Sequence, residues 1–295
     1  MQFENLLKDK SEITRKTYIQ KLNLIKKKYF PDTENFDWIK KSIEVIKKIK
    51  SDDLSDSSKK LFFNALYSVS HDPNYHKEIF SFGKLIDDKV KENKVKPEKL
   101  KEYVSLKELK KIVPLVTDLQ DKLLISLYVL QPPLRNDYAG VKLLKKNKPY
   151  AEREKGNYMV MRPKSWMFYL NEYKNVAQFG PQKYKYSTKF NPEIYKILLE
   201  SYEVNPREYL IEKRAGYAMS DGDISKRIPM ITKKYINKTL SINDIRKIYE
   251  TDLINSQQYK SMNFKQKEAE HRKLLHSFTT AHSTYHKTNI TVKFD

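Results

Sequence analysis

The sequence predicts a mainly α-helical protein with a small antiparallel β-sheet. Apolar residues recur at helical spacing through most of the 295 residues. The period changes only around residues 157–186, where aromatic and β-branched residues alternate with polar ones or run together. A lysine-rich stretch, VKENKVKPEKLKEY, is poor in apolar residues and reads as an exposed linker. It divides the chain into a helical domain, residues 1–100, and a second domain of helices and strands, residues 101–295.

The helices of the first domain follow from their caps and apolar faces. Ser11, with Thr14 and Thr17 behind it, opens a helix carrying Tyr18, Leu22, Leu24 and Ile25. Asp32-Thr33-Glu34 opens the next, with Trp38, Ile39, Ile43 and Ile46 on its apolar face. Ser55–Ser58 opens a third, with Leu61, Phe62, Leu66 and Val69, and a fourth runs from about Tyr75 to Lys94. Short amphipathic helices with basic outer faces make a small bundle.

The pattern restarts at Ser105, where SLKELKKIV reads as a capped helix and Val116–Leu130 as a largely buried one. Asn157–Met161 (NYMVM) and Trp166–Leu170 (WMFYL) have strand composition. Gly180–Pro181 marks a turn, so a small antiparallel sheet is expected. Asn191–Val204 is helical again, and helices continue to the C-terminal region.

Composition narrows the function. Fifty-eight Lys and Arg stand against 37 Asp and Glu, a net charge of +21, with a pI near 9.6. That is the electrostatic footprint of a polyanion binder. A mean hydropathy of −0.76 and no long uncharged apolar stretch argue against a membrane span. No signal-peptide pattern opens the chain, so an intracellular location is expected. The absence of cysteine excludes disulfides, a thiol nucleophile and a Cys-type zinc site.

Ser241–Lys287 carries the chemistry. Arg246 lies in an apolar-periodic run (Ile242, Ile245, Ile248, Tyr249, Leu253), so it projects from a partly buried helix. His276 follows Leu274–Leu275, and Tyr285 comes nine positions later. Upstream, the most apolar run of the chain, LLISLYVLQPPLRNDYAGVKLL, places Arg135 just after a proline break. A charge between two apolar segments must be paired or must act on an anion. The pairing alternatives are Asp137 for Arg135 and Asp244 for Arg246. A phenol, an imidazole and two guanidiniums are the groups a metal-free attack on a phosphodiester needs. His282 and His286 have a metal-ligand spacing, but no Cys or carboxylate cluster completes such a site in the sequence, and no metal or other cofactor is expected.

The order Arg135, Arg246, His276, Tyr285 resembles the tyrosine recombinase (phage-type integrase) family. The matching elements are an Arg after an apolar helix (PPLRNDYAGVKLL), a four-residue box ending in Arg (Asn243-Asp244-Ile245-Arg246), and a His with a Tyr nine residues on. The box opens with Asn243 where the family has His or Lys, and Leu275 stands where the family has Gly. The resemblance covers roughly residues 105–290, and TRKTYIQKLNL at Thr14–Leu24 is similar to the opening helix of the family's core-binding domain.

The resemblance implies a core-binding domain followed by a catalytic α+β domain, the two forming a basic clamp around double-stranded DNA. It implies that Arg135 and Arg246 hold the scissile phosphate, that His276 donates to it, and that Tyr285 attacks phosphorus to leave a 3′-phosphotyrosine. It also implies a lysine in a β-hairpin that protonates the leaving 5′ oxygen. Lys174 is the candidate, with Lys183 and Lys185 as the other hairpin lysines. Asn243 can donate a hydrogen bond but cannot move a proton at neutral pH. The expected partner is duplex DNA bound by a homotetramer, without nucleotide. There are two other readings: a type IB topoisomerase, which shares the chemistry but acts as a monomer and lacks the His-plus-nine tyrosine step, and a basic DNA-binding protein whose site has decayed at Asn243.

Overall fold

In a computed structural model, which describes residues 3–95, 97–145, 156–214 and 216–289, the chain is mainly helical with a small mixed sheet. It divides into two compact units, Met1–Glu92 and Asn93–Asp295. No helix among the described residues is long and apolar enough to cross a membrane.

The first unit holds α1 (Glu12–Tyr29), a 3-10 turn (Asp37–Lys40), α2 (Ser42–Ser51), α3 (Asp56–Ser70) and α4 (Pro73–Lys91). Ser11 and Ser55 cap α1 and α3 through their hydroxyls. Leu22, Ile25, Trp38, Ile49, Phe63, Leu66 and Tyr75 form its core, with Phe30 stacked on Trp38 at 4.7 Å. The expected helix carrying Trp38, Ile39, Ile43 and Ile46 is two elements. The 3-10 turn ends at Lys40 and α2 starts afresh, so the phase shifts and Ile43 points to solvent, 81% exposed.

The second unit begins with α5 (Pro97–Leu100), α6 (Leu106–Lys110) and α7 (Leu119–Val129). Residues 93–95, expected to be free linker, are held by the C-terminal segment. The Asn289 amide exchanges two hydrogen bonds with the Val95 backbone, and the Thr288 N–H donates to the Asn93 carbonyl. Val95 is consequently buried.

Strands β1 (Lys142–Lys145), β2 (Tyr158–Arg162), β3 (Ser165–Leu170) and β4 (Gln182–Tyr186) make one sheet in that order, with α8 (Val176–Phe179) between β3 and β4. The β2–β3 and β3–β4 pairs are antiparallel, as the strand patterns predict. β1 adds a parallel edge, so the sheet is mixed. Its sequence, KLLK, is too short and too charged to read as a strand alone. Trp166, Phe168, Leu170 and Tyr186 face the core.

The chain continues through α9 (Pro192–Val204), β5 (Glu212–Arg214), β6 (Tyr217–Ala218), α10 (Asp221–Ile236), α11 (Ile242–Asn255), α12 (Gln257–Ser261), α13 (Phe264–Arg272) and α14 (Phe278–Thr280). A π-helical turn, Ala281–Tyr285, closes it. The axis is α7, whose residues from Leu123 to Val129 are all buried.

The start of α11 matters most for the site. Ser241 and Asp244 form a reciprocal capping box, and Asp244 also accepts from the Tyr103 hydroxyl at 3.0 Å. Asp244→Ala should therefore lower stability by about 1–2 kcal/mol, read as a lower urea midpoint at unchanged m-value.

Candidate active site

α11 carries Arg246 inward, and the guanidinium has no solvent exposure. Its Nη1 donates to the Pro133 carbonyl, and its Nη2 donates to the Leu274 carbonyl at 2.9 Å. Nη2 also donates to Nδ1 of His276 at 3.1 Å. Nε is buried without a partner. Neither pairing alternative is realised. Asp244 serves the cap, and Asp137 accepts from the backbone N–H of Arg135 at 2.9 Å. Arg135, half-buried, follows the proline break after α7.

Tyr285 ends the π-turn, where the His286 N–H reaches back to the Ala281 carbonyl at 2.8 Å. Its ring stacks on His276, centroids 4.8 Å apart and planes 23° from parallel. The Arg246 guanidinium carbon lies 4.8 Å from the ring centroid. Burial pushes the Tyr285 phenol up, but the charges of Arg246 and Arg135 pull it below its ordinary value. The structure thus brings together Arg135, Arg246, His276 and Tyr285.

Asn243 and Lys174 stand apart from this cluster. Asn243 is exposed and makes no side-chain hydrogen bond among the described residues, although Arg246 one turn later is buried. Lys174 is exposed in the link between β3 and β4 rather than early in a second strand. The strand ends because Asn157 captures the backbone N–H groups of Asn171 and Glu172. The next residue, Asn175, donates to the Leu275 carbonyl at 2.9 Å, tying that link to the residue before His276. Lys183 lies over Tyr169 and Lys185 over Phe190.

His276 departs from its expected role. An arginine N–H can only donate, so Nδ1 of His276 is the acceptor and the ring proton sits on Nε2. That N–H donates to Oε1 of Glu250 at 2.5 Å. Both ring nitrogens are thus engaged inside the protein. Glu250, His271 and Tyr259, which do not stand out as site residues in the sequence, extend the network to His282. Nδ1 of His271 bonds Glu250 Oε1 at 3.3 Å and lies 3.1 Å from Oε2, its Nε2 is 2.7 Å from the Tyr259 hydroxyl, and that hydroxyl is 3.1 Å from Nε2 of His282. Glu250 is four residues after Arg246, on the same helix face, and this i,i+4 pair of charges within an apolar run was the available signal.

Ligand atoms of Glu250, His271 and His276 lie within 4.8 Å of one another, close enough to suggest a metal. The donor set does not fit one. His276 Nε2 must carry a proton while Arg246 bonds its other nitrogen, and a protonated nitrogen cannot ligate.

No family model matches this chain, and no curated protein is similar enough to it to count as a relative.

Hydrogen bonds from His271 and His276, followed by their charges, hold the buried Glu250 down to about 2 against a burial penalty that raises it. Burial depresses His276. Both groups bind protons more readily unfolded than folded, so stability must fall as pH falls. The His276 contribution declines below its ordinary value of about 6.5. The Glu250 contribution declines from about 4.5 toward 2. A melting temperature that drops steadily from pH 7 to pH 4 at constant salt is the expected result, and a flat profile would contradict the assigned proton positions.

Proposed function

We propose that this protein cleaves and rejoins DNA through a covalent 3′-phosphotyrosine, as a site-specific recombinase or integrase. The observation that carries the reading is the Tyr285 phenol held against two arginines and stacked on His276. A lowered phenol is the form of tyrosine that attacks phosphorus at neutral pH, and guanidiniums at that oxygen are the groups that bind a phosphate. The net charge of +21 supports duplex DNA as the substrate, bound largely through phosphates.

The step balances without a metal or nucleotide. The Tyr285 phenol gives its proton to solvent, and the phenolate oxygen forms a bond to phosphorus as the P–O5′ bond breaks. Arg135, half-exposed, and Arg246, with an unpartnered Nε, meet the charge that builds on the non-bridging oxygens. The 5′ oxygen leaves with a proton from Lys174, whose link is fastened beside His276 through Asn175. Rejoining is the reverse, with a DNA 5′-hydroxyl as the attacking group. His276 supports the tyrosine rather than touching the phosphate. Asn243, exposed one turn ahead of Arg246, contributes a hydrogen-bond donor and no proton transfer. Exchange between two duplexes would use four copies of the chain.

A nicked suicide duplex tests this. Wild type should trap a covalent adduct that maps to Tyr285, in excess chelator and without nucleotide. Tyr285→Phe should remove the adduct with unchanged DNA affinity and a stability change of about 1 kcal/mol or less. An adduct that persists in Tyr285→Phe would overturn the assignment.

The two arginines differ in their structural burden. Arg135→Ala should abolish cleavage at little cost in stability. Arg246→Ala strands two buried carbonyls and should also destabilise the fold by about 2–4 kcal/mol. Because the arginine charges lower the phenol, the wild-type cleavage rate should rise with pH and level off below pH 10. Any residual activity of Arg135→Lys should level off at a pH no lower than the wild type's.

A further inference from the structure

We infer that Glu250, His271 and Tyr259 form a positioning ring that holds the Tyr285 ring against His276 and Arg246. The inference deepens the cleavage reading and rests on it for its consequence, but the residues concerned touch neither DNA nor the reacting atoms.

The geometry closes on itself. His276 is the face on which the Tyr285 ring stacks. From His276 the network runs through Glu250, His271 and Tyr259 to His282. His282 belongs to the same π-turn as Tyr285, three residues before it. Both ends of one hydrogen-bonded chain therefore land on the element that carries the nucleophile, one beneath its ring and one on its backbone segment.

Every proton in that chain can be placed. Arg246 donates only, so His276 accepts at Nδ1 and donates from Nε2 to Glu250. Ionised Glu250 accepts only, so His271 donates from Nδ1 and accepts at Nε2 from the Tyr259 hydroxyl. The Tyr259 oxygen is then free to accept from Nε2 of His282. No link has two donors or two acceptors facing each other. Glu250, His271 and His276 have essentially no exposure, so water does not compete and one arrangement is enforced.

Glu250 is the keystone, because it is the one member that accepts from two histidines. Both histidines donate to Oε1, and Oε2 lies 3.1 Å from His271 Nδ1, so a glutamine of the same shape turns its donating nitrogen on His271 in either orientation. The Tyr259 hydroxyl is the second irreplaceable link, since phenylalanine keeps the ring and severs His271 from His282.

Tyrosine labelled with ¹³C at Cζ reports this without DNA, the Tyr285 resonance being assigned by its loss in Tyr285→Phe. The groups facing the phenol are Arg246, Arg135 and His276. In wild type it should titrate below its ordinary range. In Tyr259→Phe, which removes no charge, it should become less acidic. Glu250→Gln also removes a negative charge, which by itself would make the phenol more acidic, so a less acidic phenol there marks displacement from the arginines. On the suicide duplex, Glu250→Gln should cleave more slowly on the order of 10²-fold, the size of a small misplacement of a reacting group, with unchanged DNA affinity. Tyr259→Phe should fall in the same direction by less.

If both variants titrate and cleave like wild type, the ring has no positioning role. If wild type forms no adduct while the variants still shift the phenol, the cleavage reading is lost and the positioning role stands. Thermal melts check folding. Should Glu250→Gln fail to fold, Tyr259→Phe, which loses one oxygen, decides the question alone.

Discussion

A guanidinium with no solvent exposure must find acceptors inside the protein, and Arg246 finds them on two other segments. One is the Pro133 carbonyl in the break after α7, 113 positions away in sequence. The others are the Leu274 carbonyl and the His276 ring in the turn after α13. Removing a charge from water costs several kcal/mol unless such partners are in place. The three segments are therefore fixed relative to one another by one side chain. Everything else at the site is hung from it: Arg135 follows Pro133 by two residues, Tyr285 packs on His276, and Glu250 lies one turn along α11.

The charge balance of the pocket follows from the same arrangement. Arg246 and Arg135 are met by Glu250 and, more distantly, by Asp137, whose carboxyl burial raises above its usual range. Glu250 is spent on two histidines, and Asp137 on a backbone N–H. Neither carboxylate forms an ion pair with either arginine among the described residues. The arginine charges, not cancelled by an ion pair, lower the Tyr285 phenol. Guanidinium charge that favours a phenolate oxygen is chemically suited to favour a phosphate oxygen.

Much of this was legible in the sequence, for identifiable reasons. Capped amphipathic helices such as α1, α3 and α9 announce themselves by period and by Ser or Pro at the start. Arg246, His276 and Tyr285 were legible because their spacing is a pattern. Three things were not. The β1 strand lacks alternation and gains its identity from its partner β2. Ile43 was misplaced because a 3-10 turn resets helical phase, which periodicity does not see. Tyr259, one of 21 tyrosines, has no distinguishing position in the sequence, yet its hydroxyl bridges two histidines. The roles of Glu250 and His271 depend on contacts across 21 and 26 residues, and no local rule reaches that far.

Leu275 shows how a departure from the pattern that the sequence resembles can be physically sound. Its φ is +56°, in the left-handed region that favours glycine. An ordinary residue there costs roughly 1–2 kcal/mol. The Leu275 side chain, however, is 1% exposed and belongs to the main core, and burying a leucine contributes about 1.5–3 kcal/mol. Burial therefore meets or exceeds the backbone cost, and leucine can stand where glycine would relieve strain. The left-handed turn is what lets consecutive residues do different work: the Leu274 carbonyl faces Arg246, the Leu275 carbonyl accepts from Asn175, and the His276 ring turns back beneath Tyr285. A right-handed backbone at residue 275 would continue α13 and point His276 elsewhere, so the conformation, rather than the glycine, is what the site requires.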